Sequence, residues 1–162
     1  MHQREFIDTF NNKLKFNFFL LTKLPMAWLA GLSIESFDES SASISLRYKW
    51  LIQNPFKSIY FACLAMAGEM STGLLVMMHI YKSQPAISML VIEMKSVFVK
   101  KAVGKIVFTC LDAHSIAEKV ELAKTTHTSQ EIPTVSIGRN EAGEEVCRVE
   151  IVWSVKVKSA RG

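Results

Sequence analysis

Hydrophobic positions change period several times along the chain, and each change marks an element. Over the first 24 residues Phe6, Phe10, Leu14, Phe18 and Leu21 recur at steps of three and four. That spacing predicts one amphipathic helix over 1–24, stopped by Pro25. The period shortens to two from Ala42 to Trp50: Ala42, Ile44, Leu46, Tyr48 and Trp50 alternate with Ser43, Ser45, Arg47 and Lys49. This predicts a strand with one buried and one wet face, and a weaker strand signal covers 32–37. The stretch 57–80 is apolar or small on nearly all sides, interrupted by Glu69, and reads as a long helix. Asn54-Pro55 is a start signal ahead of it, with Ser58 a second candidate cap.

Beyond Gln84-Pro85 the runs "AISMLVIEMKSVFVKK" and "GKIVFTCLD" are rich in β-formers. A short helix is expected over 113–125, with Ser115 and Glu118 as a capping box. The runs "EIPTVSIGR" and "EVCRVEIVWSVKV" flank the turn "NEAGEE" and predict a hairpin. A helix that is apolar on most sides must be covered on most sides. The expected fold is therefore α+β, with an antiparallel sheet of about six strands wrapped around one long central helix and an extra helix at the N-terminus. No linker or repeat divides the chain, so 1–162 reads as a single domain.

Composition narrows the function classes. Net charge is +4 with a pI near 9.0, and the Lys100-Lys101 cluster lacks interleaved aromatics, so no nucleic-acid partner is expected. Cys63, Cys110 and Cys147 form no C-x-x-C pair, and His2, His79, His114 and His127 form no H-x-x-x-H pair. Neither a disulfide framework nor a metal site is expected, and a reducing, cytoplasmic setting is. The first 25 residues mix both charge signs, and Lys23 and Pro25 interrupt their only oily run, so no targeting peptide is expected. The segment 58–80 is long enough to span a bilayer, but a carboxylate at the centre costs ~3 kcal/mol. A core helix without membrane insertion is the expectation.

Glu69 is the chemical anomaly. One helical turn to either side lie Ala65, Met66, Thr72 and Gly73, which leave space, and no Lys or Arg sits within a turn. An unpaired carboxylate there has a raised pKa, as a general base or nucleophile requires. The alternative is that Glu69 reaches solvent or pairs with a lysine of a neighbouring strand or subunit.

The segment "NPFKSIYFACLAMAGE", set between antiparallel strands, resembles the hotdog-fold acyl-CoA thioesterases of the phenylacetate-degradation type, by way of an uncharacterised branch. Their motif is an Asn, a helix start containing His-Gly-Gly, and an acid nine residues after that His. Laid on this chain, Asn54 matches the Asn, Tyr60-Phe61-Ala62 stand at His-Gly-Gly, and Glu69 matches the acid. The resemblance implies hydrolysis of an acyl-CoA or acyl-carrier thioester, with no cofactor beyond the CoA of the substrate. Glu69 would be base or nucleophile, the amides of Phe61 and Ala62 the oxyanion donors, and Asn54 either an orienting group or a helix cap. Tyr60, Ser58, Thr72 and Gly73 are the implied substrate contacts, and Lys95, Lys100, Lys101 and Lys105 either meet CoA phosphates or form a solvated strand face. Tyr-Phe-Ala in place of His-Gly-Gly adds bulk where the thioester approaches. A straight helix separates positions 60 and 69 by ~13 Å, so a composite site requires a homodimer or dimer of dimers. The other reading is a non-catalytic hotdog module that binds acyl ligands or serves an assembly.

Overall fold

The computed structural model describes residues 2–158. Helix α1 (His2–Asn11), α2 (Lys13–Lys23) and α3 (Pro25–Ala30) precede strands β1 (Ser33–Phe37) and β2 (Ala42–Arg47). The long helix α4 (Phe61–Ile80) follows a 3-10 turn at Trp50–Ile52. Then come β3 (Ile87–Phe98), β4 (Lys105–Cys110), α5 (Ala113–Thr126), β5 (Gln130–Arg139) and β6 (Glu145–Val157). The strands form one sheet in the order β1-β2-β4-β5-β6-β3, antiparallel at every pairing. The sheet wraps α4, whose Ala67, Leu75 and Val76 are fully buried. This is the expected α+β architecture, and the apolar span 61–80 is its core helix.

Close packing of helix on sheet depends on a small residue in α4. A Cβ built on Gly68 would lie 2.7 Å from Val149 Cγ2 and 2.8 Å from its Cβ, atoms fixed to β6. Gly68→Ala is expected to cost about 1–3 kcal/mol through overpacking, read as a lower midpoint in denaturant unfolding.

Four expectations are corrected. The helix over 1–24 is two helices, because Asn12 adopts an extended backbone and its Oδ1 accepts from the amides of Leu14 and Lys15, both at 3.1 Å. An Asn that satisfies free amides in this way starts a new helix. Phe6 and Phe10 stay buried and stack at 4.3 Å, but beyond the break the buried positions are Phe16 and Leu20. Leu14, Phe18 and Leu21 point outward instead, at 82%, 68% and 48% exposure.

The central helix begins at Phe61, not at 57, and Asn54 does not cap it. Asn54 Oδ1 accepts from the amides of Phe56 (3.0 Å) and Ser58 (3.2 Å) and from Ser58 Oγ (3.1 Å), a local turn that competes with helix. Tyr60 occupies the N-cap position with extended φ and ψ and no side-chain bond.

The strand assigned to 42–50 ends at Arg47, and its expected wet face is buried as far as Ser45. Trp50 lies in the 3-10 turn and is 80% exposed. Ser43 and Ser45 are buried on an interior strand and bond Thr109 Oγ1 at 2.8 Å and Glu35 Oε1 at 2.6 Å. In α5 the N-cap position belongs to Asp112, and Ser115 Oγ donates back to its carbonyl, so Ser115 and Glu118 form no capping box.

Candidate active site

Glu69 sits in the middle of α4, where the helix faces the corner between α2 and α3. A cavity of about 220 Å³ opens there, lined by Glu69 with Met66 and Met70 of α4, by Lys23 at the end of α2, and by Leu24, Pro25, Met26 and Ala27. Its lining is largely apolar because α4 and α3 are. The carboxylate is half-buried and has neither a hydrogen bond nor an ion pair among the described residues. Burial therefore raises its pKa above the ordinary 4.5, with no compensating charge. No lysine of a neighbouring strand of the same chain pairs with it.

The residues flanking Glu69 anchor its helix segment. Thr72 Oγ1 donates to the Glu69 carbonyl at 2.9 Å and accepts from Trp153 Nε1 at 2.9 Å, and Thr72 is fully buried. A Cβ on Gly73 would lie 3.2 Å from Trp153 Cζ2, so the indole packs directly over the glycine. Trp153 read from sequence only as a strand residue; its link to Thr72 joins positions 81 apart in the chain.

The start of α4 forms a second, separate cavity of about 340 Å³. Asn54, Ser58, Tyr60, Phe61, Lys100 and Lys101 are among its lining residues. The Tyr60 amide donates to the Ile52 carbonyl (2.8 Å) and the Cys63 amide to the Tyr60 carbonyl (2.9 Å). The Phe61 and Ala62 amides, the first two of the helix, have no acceptor among the described residues. Free N–H groups at the positive end of a helix dipole suit a developing oxyanion. The Phe61 ring lies at the mouth, 4.8 Å from Tyr60 and 6.2 Å from Phe98 between centroids. From Phe61 to Glu69 the helix rises ~12 Å, so one chain does not bring acid and amides together.

The four lysines divide. Lys95 pairs with Glu150 (3.7 Å), Lys100 with Glu144 (2.6 Å) and Lys105 with Glu35 (2.8 Å). Lys101 makes no ion pair among the described residues and shares the helix-start cavity with Lys100. All three cysteines are buried free thiols, and burial pushes Cys110 up to about 12 and Cys147 up to about 11, which leaves them un-ionised. No group of three or more metal-ligating side chains occurs among the described residues.

A six-stranded antiparallel sheet wrapped around one long central helix is a hotdog fold. The chain belongs to the family described as a domain of unknown function (DUF4442), which matches residues 12–155. Solved structures share the fold at low identity. A protein of unknown function from Chlorobaculum tepidum superposes with a TM-score of 0.77 at 17% identity, over 90% of this chain and 94% of that one. A Pseudomonas aeruginosa protein of unknown function, described as "Probable Thioesterase", gives 0.74 at 19% identity, over 90% and 96%. A thioesterase from Haemophilus influenzae gives 0.61 at 11% identity, over 93% and 95%. The sequence has no match among curated proteins.

Proposed function

We propose that this protein hydrolyses an acyl-CoA or acyl-carrier thioester, with Glu69 as general base or nucleophile. The observation that carries the reading is an unpaired carboxylate, half-buried in an apolar cavity on the central helix. The thioesterase descriptions of fold relatives support the reaction class. The Phe61 and Ala62 amides of a second subunit would hold the oxyanion, with Asn54, already committed to its turn, keeping that helix start in place. Tyr60 and Ser58 line the approach, Lys100 and Lys101 suit the CoA phosphates, and Thr72 and Gly73 act through the placement of Glu69. A metal or cofactor has no step in this chemistry.

The second subunit is supported by β3. It is an edge strand of 12 residues with Leu90, Ile92, Met94, Val97 and Phe98 exposed, and a long apolar edge calls for a pairing partner. Pairing through β3 gives a homodimer, and dimers of dimers are compatible with it. The three buried free thiols suit the reducing cytoplasm.

Free-thiol release across a panel of acyl-CoAs of graded chain length tests the activity. Hydrolysis of one chain-length class is expected. The bulky Tyr60-Phe61 pair at the helix start favours the alternative of a non-catalytic acyl-binding module. Binding of acyl-CoA without turnover at any length would establish that alternative. Activity should rise with pH through a midpoint above 4.5, because the base works only when ionised and burial raises its pKa.

A further inference from the structure

Nothing bonds the Glu69 carboxylate among the described residues, yet the structure beside it on the sheet side is fully tied. The Thr72 hydroxyl uses both of its functions there: it donates to the Glu69 carbonyl and accepts from Trp153 Nε1, each at 2.9 Å. Thr72 and Trp153 are both buried, so neither bond competes with bulk water. Gly73, the next residue, is where indole and acid converge. A Cβ built on it would stand 3.2 Å from Trp153 Cζ2, 3.3 Å from Cη2 and 3.5 Å from Glu69 Oε1. The carboxylate thus lies along the bare backbone of Gly73, beside the indole, and also lines the cavity at the α2–α3 corner. A buried indole N–H needs some acceptor. Here that acceptor is bonded in turn to the acid's own residue. Charge does not do the placing: Lys23 is the one other ionic residue lining the cavity, and it makes no ion pair among the described residues. On the sheet, Trp153 is flanked by Val91 of β3 and Ile132 of β5, both neutral.

We propose that Trp153 is a positioning residue: through Thr72 and across Gly73 it walls Glu69 on the sheet side and holds the carboxylate toward the α2–α3 cavity. The effect on turnover rests on the reading of Glu69 as base or nucleophile; the effect on the carboxyl itself does not. Small displacements matter to such a group, since a misplacement of about 1 Å costs up to about a hundredfold in rate. A smaller ring at 153 would also admit water to the carboxylate, and its proton affinity would fall toward that of an ordinary glutamate.

Three variants test this. Trp153→Phe removes the N–H and narrows the ring over Gly73, Thr72→Val removes the acceptor at nearly the same shape, and Thr72→Ser keeps it. The first readout is the titration of the Glu69 carboxyl by carbon NMR, assigned by its loss in Glu69→Gln, which needs no turnover. The wild type should titrate above 4.5. Trp153→Phe and Thr72→Val should both titrate lower, and Thr72→Ser like the wild type. The second readout is thiol release against pH. In the two disrupting variants kcat should fall by up to about a hundredfold with KM little changed, and the midpoint should move down with the titration. Trp153→Phe combined with Thr72→Val should do no worse than the poorer single variant, because both changes cut one chain of contacts. An unchanged Glu69 titration in both disrupting variants overturns the proposal whatever the activity. So do losses that add in the double variant, or a Thr72→Ser that behaves like Thr72→Val. Should Trp153→Phe fail to fold, the contrast between Thr72→Val and Thr72→Ser decides by itself. Titrations that move as expected without turnover of any acyl-CoA would uphold the placement and overturn the reading of Glu69 as a base.

Discussion

Thiol release should fall by at least about a hundredfold in Glu69→Gln, the lower end of what a positioned base contributes. The substitution keeps size and shape and removes only the ionisable group, so circular dichroism and native mass should match the wild type. Stability supplies a second readout of opposite sign. Burial raises the Glu69 pKa in the folded protein above its unfolded value. The native state therefore binds the proton more tightly, and as pH rises from the unfolded to the folded pKa the protein loses stability. Above that window the wild type carries the cost of an unpaired, half-buried carboxylate. Glu69→Gln does not carry it and should melt higher at neutral pH, with the difference vanishing in acid. Lower activity with higher stability is the pattern of a functional carboxylate kept at a cost to the fold. Full activity in Glu69→Gln would remove the residue from the mechanism, and a lower melting temperature at pH 7 would mean that the carboxylate has a stabilising partner.

Phe61→Pro should lower turnover by about 10²–10³, the loss that follows removal of one oxyanion donor. The change is specific because of where Phe61 sits. Proline suits the first position of a helix, and Tyr60 before it already has φ −62° and ψ 133°, the extended conformation that proline demands of its predecessor. The substitution deletes an amide that has no acceptor among the described residues. Phe61→Ala, which loses the ring contact with Phe98 but keeps the N–H, is the control and should retain turnover. Glu69→Gln and Phe61→Pro together then test whether the site is shared. Acid and amides stand ~12 Å apart along one helix, so each active centre would combine the acid of one subunit with the amides of the other. In a mixed dimer of the two variants, one centre is doubly damaged and the other intact. Co-refolding equal amounts should restore about a quarter of wild-type activity, since half the dimers are mixed and each has one working centre. Absence of recovery in mixed dimers confirmed by native mass would place acid and donors within one chain.

Periodicity alone determined the architecture. The alternating strands and the helix apolar on nearly every side admitted few arrangements besides a sheet around a core helix, because burial of apolar surface is set by composition and period. The unpaired character of Glu69 was legible too, since its helical neighbours are fixed at three and four residues and none is basic. Tertiary structure decided the rest. That Asn54 closes a turn on Ser58 instead of capping α4 depends on a competition between two local hydrogen-bonding patterns, and sequence does not rank them. That Trp153 anchors Thr72 beside the acid depends on strand register across most of the chain. The stripe Phe6-Phe10-Leu14-Phe18-Leu21 is continuous in sequence, yet only its first half is buried. One extended residue at Asn12 starts a second helix, and helical phase does not carry across such a break. Local periodicity specified which residues share a face of an element; only the packed chain decided which of those faces meet the core and which are left outside.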